Sequence, residues 1–286
     1  MNIVDSHFHF WDRANLNYDW LDEVPAINRP FLPADYARQV GKHTISQKIF
    51  VQAGSEPEQA VKEAGWVSEL AQTDPTIQAI VAFAPLELGD RATAVLDQLK
   101  QFPLVKGIRR LIQSEPLGFS NQPDFVCGVQ LLPTYDFSFD ICVKYDQMDD
   151  VLKFVAQCPE VQFVLDHAGK PAIEAQVLDP WRAQINQLAQ HENVVCKLSG
   201  LVTEADHENW QPADLSPVID QLLESFGPSR LMFGSDWPVV TLASSLEPWI
   251  DLALEVTSHL SAAEREQIFV RNAQRFYKLK DAPPTG

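Results

Sequence analysis

The amino-acid sequence predicts a single closed (β/α)8 barrel, in which eight parallel strands alternate with helices around a central core. Eight short segments rich in Val, Ile and Phe recur at roughly even intervals along the 286 residues. Most of the intervals between them show helical periodicity. The segments resemble strands that are buried on both faces, which is typical of parallel sheets. About 250 residues is the usual size of such a barrel, so the length agrees with this fold class.

The predicted elements follow one another in the order that a barrel requires. The strands are predicted at 3–8, 48–52, 77–83, 105–111, 137–143, 161–166, 194–198 and 231–233. Helical periodicity is clearest at 56–72, 90–101, 148–157, 180–191 and 215–226. Ser261 and Glu264 have the spacing of a capping box, which predicts a final helix that runs to about Tyr277. An open doubly wound sheet is the alternative, but the first strand lacks the Gly-rich turn that usually follows it there.

Two connections are longer than a barrel requires, namely residues 10–44 after strand one and residues 112–136 after strand four. Long loops in compact domains are often functional, and both leave the end of the barrel where active sites lie. We therefore expect them to form a partial lid. The barrel domain is predicted to span residues 1–279, and residues 280–286 are expected to form a disordered tail.

The chain is acidic, with 39 Asp+Glu against 22 Lys+Arg and a formal net charge of −17. Nucleic acids and anionic membranes require basic surfaces, so this balance argues against both as main partners. The cysteines are far apart and form no C-x-x-C pair, which favours four reduced, buried side chains. Without a recognisable signal peptide or a span of apolar residues, the sequence predicts a cytoplasmic protein that acts on a small molecule. A homo-oligomer is compatible with it.

Three histidines and one aspartate fall at or near predicted C-terminal strand ends. His7 and His9 lie two residues apart on strand one, so their side chains share one side of it. His167 ends strand six and Asp236 ends strand eight. If all four face the interior, they meet above the barrel. Such a set is suitable for holding Zn²⁺ or for activating water without a metal.

Several motifs resemble those of the amidohydrolase superfamily. They are His-x-His at 7–9, Asp-His-Ala-Gly-Lys-Pro at 166–171 and Gly-Ser-Asp-Trp-Pro at 234–238, with further matches at 9–12, 106–109, 197–200 and 272–277. More narrowly, they are similar to its branch of sugar-acid lactonases, which includes L-fuconolactonase and L-rhamnonolactonase. The resemblance implies a hydrolase that opens a small lactone. It places His7, His9, His167 and Asp236 at metal or catalytic positions, with Asp236 as the base that deprotonates water.

The sequence departs from the dinuclear members of this superfamily. Those carry a carboxylated lysine on strand four, where this chain has Arg109 and Arg110, and a histidine on strand five, where it has Asp140 and Cys142. The resemblance therefore implies at most one divalent metal, with zinc as the candidate. Some lactonases of the branch work without a required metal, so the sequence leaves open whether the ion is dispensable.

Basic and hydroxyl side chains near the mouth are further candidates. Arg109 is expected to polarise the lactone carbonyl or to bind a substrate carboxylate or hydroxyl. Arg109 and Arg110 point to opposite faces of the strand, so only one of them enters the barrel. Lys197 and Ser199 share a face of strand seven. They either donate hydrogen bonds to sugar hydroxyls or take part in a structural ion pair, for which Asp140 is the candidate partner.

Aromatic residues near the mouth also have two interpretations. Trp237 either stacks on the sugar ring or packs beneath the lid. Trp11, Tyr18 and Trp20 either line the entrance, where Trp11 would bind substrate, or pack the long loop. Three basic residues lie at or beside predicted C-terminal strand ends, namely Arg109, Lys170 and Lys197. They predict a locally positive mouth in an otherwise acidic protein.

Three other functions are compatible with these residues. A decarboxylase of the same superfamily would use a similar centre but would require a firmly bound metal. A hydrolase of another ester or amide would share the attack by water. A sugar-acid binding protein would keep the fold without catalysis, and Asp236→Asn would then leave its function unchanged.

Overall fold

The protein folds as the predicted barrel, and the computed structural model describes residues 1–280 of the chain. Eight parallel strands pair in the order β1-β2-β3-β4-β5-β6-β7-β8. A parallel bridge between Phe8 and Trp237 joins the first strand to the segment after the last one. The predicted tail lies outside the described residues from residue 281 onwards.

The strands are β1 (Asn2–Phe8), β2 (Thr44–Val51), β3 (Ile77–Ala82), β4 (Val105–Ile108), β5 (Ser138–Ile141), β6 (Phe163–Leu165), β7 (Val194–Leu198) and β8 (Leu231–Phe233). The helices are α1 (Pro33–Gln39), α2 (Ala60–Thr73), α3 (Thr93–Leu99), α4 (Pro123–Gln130), α5 (Met148–Gln157), α6 (Trp181–Leu188), α7 (Pro212–Phe226), α8 (Leu246–Val256), α9 (Ala262–Glu266) and α10 (Asn272–Phe276). Within residues 1–280, no helix has the length and apolar character needed to cross a membrane.

Strands β4, β5 and β6 end earlier than the sequence predicts, because the chain leaves the sheet to build the mouth. After β6, His167 and Ala168 adopt φ values of 52° and 54°, and after β8 Asp236 adopts 56°. Such left-handed conformations are uncommon for residues other than glycine, and they concentrate at functional sites. The long connections after β1 and β4 contain helices α1 and α4, so neither is irregular throughout.

The C-terminal segment closes the lower end of the barrel. The predicted capping box is present, since Glu264 N donates to Ser261 Oγ at 3.3 Å and Ser261 N donates to Glu264 Oε2 at 2.8 Å. A π-helical turn at Gln267–Arg271 separates α9 from α10. The sequence predicted one regular final helix, and this prediction is wrong. Tyr277 follows α10 and is buried against the barrel interior.

Two hydrophobic cores hold the layers together. The larger one lies between the strands and the surrounding helices. A smaller one brings together residues of β1, β2, β3, β6 and β8 with the C-terminal segment, namely Val4, Ile49, Val51, Ala79, Val81, Val164, Met232, Ala273 and Tyr277. The barrel is therefore packed with side chains below its mouth, as such barrels are.

Two helical glycines predict opposite effects of the same substitution. A Cβ on Gly128 of α4 would lie 2.1 Å from the backbone oxygen of Leu86, so we expect Gly128→Ala to lower the free energy of unfolding. Overpacking of this kind costs about 1–3 kcal/mol. A Cβ on Gly65 of α2 would meet the ring of Phe102 at an ordinary 3.6 Å. Gly65→Ala should therefore raise the free energy of unfolding by roughly 0.5–1 kcal/mol. Urea denaturation measures both, and a shift in the same direction would contradict this packing.

Candidate active site

A cavity of 380 Å³ opens at the C-terminal ends of the strands. His9, His167 and Asp236 line it, and His7 lies fully buried beside them. The four residues that the sequence placed at the strand ends therefore come together. Arg109 also lines the cavity.

The three imidazoles converge on one carboxylate oxygen. Asp236 Oδ1 lies 3.7 Å from Nε2 of His7, 3.5 Å from Nε2 of His9 and 3.8 Å from Nε2 of His167. The Nε2 atoms of His7 and His9 are 3.2 Å apart. Each histidine thus presents the same ring nitrogen to the centre of the mouth.

The opposite ring nitrogen of each histidine is held by the barrel wall. The partners of the three Nδ1 atoms are Val51 O at 2.6 Å for His9, Ser199 Oγ at 2.8 Å for His167 and Asp166 Oδ1 at 3.3 Å for His7. A backbone carbonyl can only accept, so His9 carries its proton on Nδ1 and leaves Nε2 as a lone pair. Nδ1 of His7 also lies 3.3 Å from Lys197 Nζ, which can only donate.

Burial sets the charge state of these groups. Burial lowers the pKa of His7 well below its usual value and lowers the pKa of His167 to about 4, so both rings are neutral at neutral pH. Burial also acts to raise the pKa of Asp236, but the surrounding histidines, His167 foremost, outweigh it and hold that pKa below its usual range. The centre of the mouth is therefore an ionised carboxylate surrounded by imidazole rings.

This donor set fits one divalent ion. In a tetrahedral site with bonds of about 2.1 Å, neighbouring ligand atoms lie about 3.4 Å apart. Asp236 Oδ1 lies 3.5–3.8 Å from the three Nε2 atoms, and the Nε2 atoms of His7 and His9 are 3.2 Å apart, so these separations are close to that value. A second set of His7, Asp166 and His167 has the spacing of a metal site as well. It is less suitable, because Lys197 Nζ already contacts Asp166 Oδ1 at 2.9 Å.

Arg109, and not Arg110, enters the barrel. Its Nη1 lies 3.2 Å from Asp166 Oδ2 and 3.3 Å from His7 Nε2, and its Nη2 donates to Gln52 O at 2.6 Å. Arg110 points away and pairs with acidic side chains outside the barrel. The open choice between the two arginines is settled by this geometry.

Lys197 lies too deep to contact a substrate. Its ammonium group is fully buried, 2.5 Å from Asp140 Oδ2, 2.9 Å from Asp166 Oδ1 and 3.3 Å from His7 Nδ1. It does not line the cavity. Of its two interpretations, the ion pair with Asp140 describes the structure and the sugar-binding role is wrong. Ser199 is equally buried and reaches the mouth only through its contact with His167.

The aromatic candidates divide between the cavity and the loop. Trp237 is fully buried, its Nε1 donates to Gln39 Oε1 at 3.1 Å, and it does not reach the cavity. Stacking of Trp237 on a sugar ring is therefore wrong, and the packing alternative holds. Trp11 and Trp20 both line the cavity. Tyr18 packs within the loop instead.

Sequence reasoning missed several residues of the site. Gln113, Ser114 and Cys142 line the cavity, and so does Lys170, which had been assigned only to a positive mouth. Their signal was their position just after strands β4, β5 and β6. Residues that support the site were also missed. Asp5 accepts hydrogen bonds from Ser235 N at 2.8 Å, Ser235 Oγ at 2.5 Å and Tyr36 Oη at 2.8 Å, and so fixes the turn that carries Asp236.

Residues 4–279 match the sequence profile of the amidohydrolase family. The chain belongs to this family. It is 35% identical to an L-fucono-1,5-lactonase from Burkholderia multivorans, over 97% of this chain and 96% of that protein. It is 30% identical to an L-fucono-1,5-lactonase from Burkholderia ambifaria, over 96% and 95% of the two chains.

A solved amidohydrolase from Burkholderia multivorans has the same architecture. The TM-score is 0.87 at 35% sequence identity, with 98% of this chain and all of that chain covered. That crystal structure contains bound zinc. The family profile and this structural match confirm the resemblance to amidohydrolases that the sequence motifs predicted.

A buried carboxyl beside the cavity predicts a pH-dependent stability. Glu63 of α2 accepts hydrogen bonds from Tyr18 Oη and from Ala53 N, each at 3.2 Å, and so joins the loops that follow β1 and β2. Burial raises its pKa from 4.5 to about 7. The native state then binds this proton more tightly than the unfolded chain. The stability that it contributes is complete below pH 4.5 and is lost as the pH rises to 7.

Glu63→Gln keeps the shape of the side chain and removes the titration. Between pH 5 and pH 8, wild type should lose about 2 kcal/mol of unfolding free energy relative to this variant. Urea denaturation at the two pH values checks the difference. A gap that stays constant with pH would show that Glu63 does not titrate as its burial requires.

Proposed function

We propose that this amidohydrolase opens a small sugar-acid lactone, similar to L-fuconolactone, by attack of a water molecule that Asp236 deprotonates. The observation that carries the proposal is the ionised Asp236 carboxylate at the mouth, whose Oδ1 lies within 3.8 Å of Nε2 of each of three imidazoles. The L-fucono-1,5-lactonases at 35% and 30% identity support the choice of a lactone, since both align over nearly the whole chain.

The side chains of the mouth suffice for each proton movement. Asp236 accepts a proton from water as the water oxygen attacks the carbonyl carbon. The negative charge that develops on the carbonyl oxygen is stabilised by the guanidinium group of Arg109. When the ring carbon–oxygen bond breaks, Asp236 returns the proton to the leaving oxygen. The product is an open hydroxy acid, and Asp236 is again ionised.

The cavity has a suitable surface for such a ligand. Trp11 and Trp20 offer flat apolar faces that can pack against the C–H groups of a sugar ring. Arg109 and Lys170 supply positive charge where the product carboxylate forms. Lys197, Ser199 and Trp237 are not part of this surface.

The proposal holds with or without one divalent metal, for which zinc is the candidate. His7, His9 and Asp236 would hold it, because their ligand atoms are mutually close, and His167, whose Nε2 lies 3.8 Å from Asp236 Oδ1, is the fourth candidate ligand. When bound, such an ion supplies Lewis-acid polarisation of the carbonyl and lowers the pKa of a bound water. The proposal further includes a cytoplasmic location and a small molecule as the main partner, and the acidic charge of the chain argues against nucleic acids and anionic membranes.

Asp236→Asn tests the catalytic assignment. The substitution keeps the size of the side chain and removes the base, so kcat should fall by roughly 10²–10⁴-fold on the preferred lactone. The measurement is a panel of aldonolactones with a pH-indicator readout, run on protein of known metal content. Asp251→Asn on α8, which makes the same change far from the mouth, should retain full activity.

The outcomes separate the candidate functions. If no aldonolactone is hydrolysed, the substrate class is wrong, and an ester or amide panel follows. If Asp236→Asn retains its kcat, Asp236 is not the base. Full activity of metal-free protein would exclude the metal-dependent decarboxylase.

A further inference from the structure

A second cavity lies beside the active-site cavity. Its volume is 340 Å³, comparable to the 380 Å³ of the first. Trp20, Gly54 and Leu111 line both, so the two cavities adjoin each other. The mechanism makes no use of the second cavity.

Glycine at position 54 leaves open the place where the two cavities meet. Gly54 has a φ of 73°, and a Cβ there would lie 3.2 Å from Nε1 of Trp20. Trp20 is held in place, since its Nε1 donates to Ala53 O at 2.8 Å. The cavities therefore meet at the Trp20 indole and the glycine backbone, with no side chain on residue 54 between them.

The two cavities differ in the charged side chains that line them, although Arg109 and Lys170 are paired with Asp166 and Glu204 outside the lining. Arg109 and Lys170 line the first, together with the single carboxylate of Asp236. Three carboxylates line the second, from Asp19, Glu56 and Glu87.

The arginine of the second cavity does not alter this balance. Arg110 Nε lies 3.1 Å from Glu87 Oε1, and its Nη2 lies 2.6 Å from Glu115 Oε1. Its charge is therefore already compensated by two carboxylates. An anionic group is repelled from the second cavity, and a neutral group rich in hydroxyls is accepted.

Two hydrogen-bonding groups of the second cavity lack a protein partner. Gln52 is almost completely buried, and its Nε2 contacts no acceptor among residues 1–280, although its Oε1 accepts from Gly54 N at 2.6 Å. Ser55 Oγ is likewise without a partner in the described part of the chain. Buried polar groups are normally satisfied, so these two point to a ligand that brings hydroxyl groups.

We propose that the second cavity is a subsite for a glycosyl group, so that the enzyme accepts lactones of disaccharide acids as well as monosaccharide lactones. The lactone ring lies in the first cavity, and the neutral sugar attached to it occupies the second. Gln52 Nε2 donates to a sugar hydroxyl, Ser55 Oγ shares another, and the carboxylates accept from the remaining ones. The reaction is unchanged, since water still adds across the lactone bond. This inference rests on the proposed lactone hydrolysis.

Stable product analogues test the subsite directly. Lactobionate, maltobionate and melibionate each carry a glycosyl group on the same acid, gluconate, which serves as the common reference. Each is measured as an inhibitor of hydrolysis of the best monosaccharide lactone. At least one disaccharide acid should inhibit ten times more strongly than gluconate. If all three stay within tenfold of gluconate, the glycosyl subsite is wrong.

A bulky side chain in the second cavity supplies the matched test. Ser55→Phe should bring the inhibition constant of the best disaccharide acid to within about threefold of that of gluconate, because the larger side chain occupies the space of the glycosyl group. The ratio of the two inhibition constants isolates this contact. Ser258→Phe, an exposed position after α8, should keep the full ratio. A Ser55→Phe enzyme that keeps more than half of the advantage would overturn the assignment. Failure to hydrolyse any lactone would instead refute the proposed function.

Discussion

The ammonium group of Lys197 lies inside the barrel, shielded from solvent and in contact with Asp140, Asp166 and the Nδ1 atom of His7. An isolated charge at such a position would be very costly, and it is tolerated only because carboxylates surround it. Lys197 in turn holds the pKa of Asp166 well below its usual value, against the effect of burial. Burial is the stronger influence on Asp140, whose pKa is raised to about 6.

The arrangement of the mouth follows from this ion pair. An ionised Asp166 accepts a hydrogen bond from Arg109 Nη1 and lies 3.3 Å from His7 Nδ1, so it contacts both the guanidinium group and the imidazole. At the other end, Tyr277 Oη donates to Asp140 Oδ2 at 2.8 Å, which connects the ion pair to the C-terminal segment. Charges buried for structural reasons thus determine which atoms the substrate meets, although the substrate never contacts Lys197. Such support is typical of sites whose reacting groups are held on rigid strands.

Much of the fold and the centre of the site could be predicted from sequence, for simple geometric reasons. Strands of a barrel all end at one face, so His7, His9, His167 and Asp236 had to meet if each lay near a strand end. Because side chains alternate between the two faces of a strand, only one of Arg109 and Arg110 could enter the barrel. The alternation did not show which of them does. The depth at which each side chain lies along the barrel axis could not be predicted from the sequence. Lys197 and Ser199 share a face with the mouth but lie below it, because strand tilt and register determine height. The packing of Trp237 depended on loop contacts from α1, which no local pattern encodes.

The most direct test of this account is the free energy of unfolding of Lys197→Met, measured by urea denaturation. The account predicts a loss of about 3–5 kcal/mol, because the substitution leaves the buried carboxylates without their cation. Lys153→Met is the control, since it removes an exposed ammonium group 3.5 Å from Asp150 and should have little effect. A Lys197→Met protein as stable as wild type would contradict the claim that this ion pair organises the mouth.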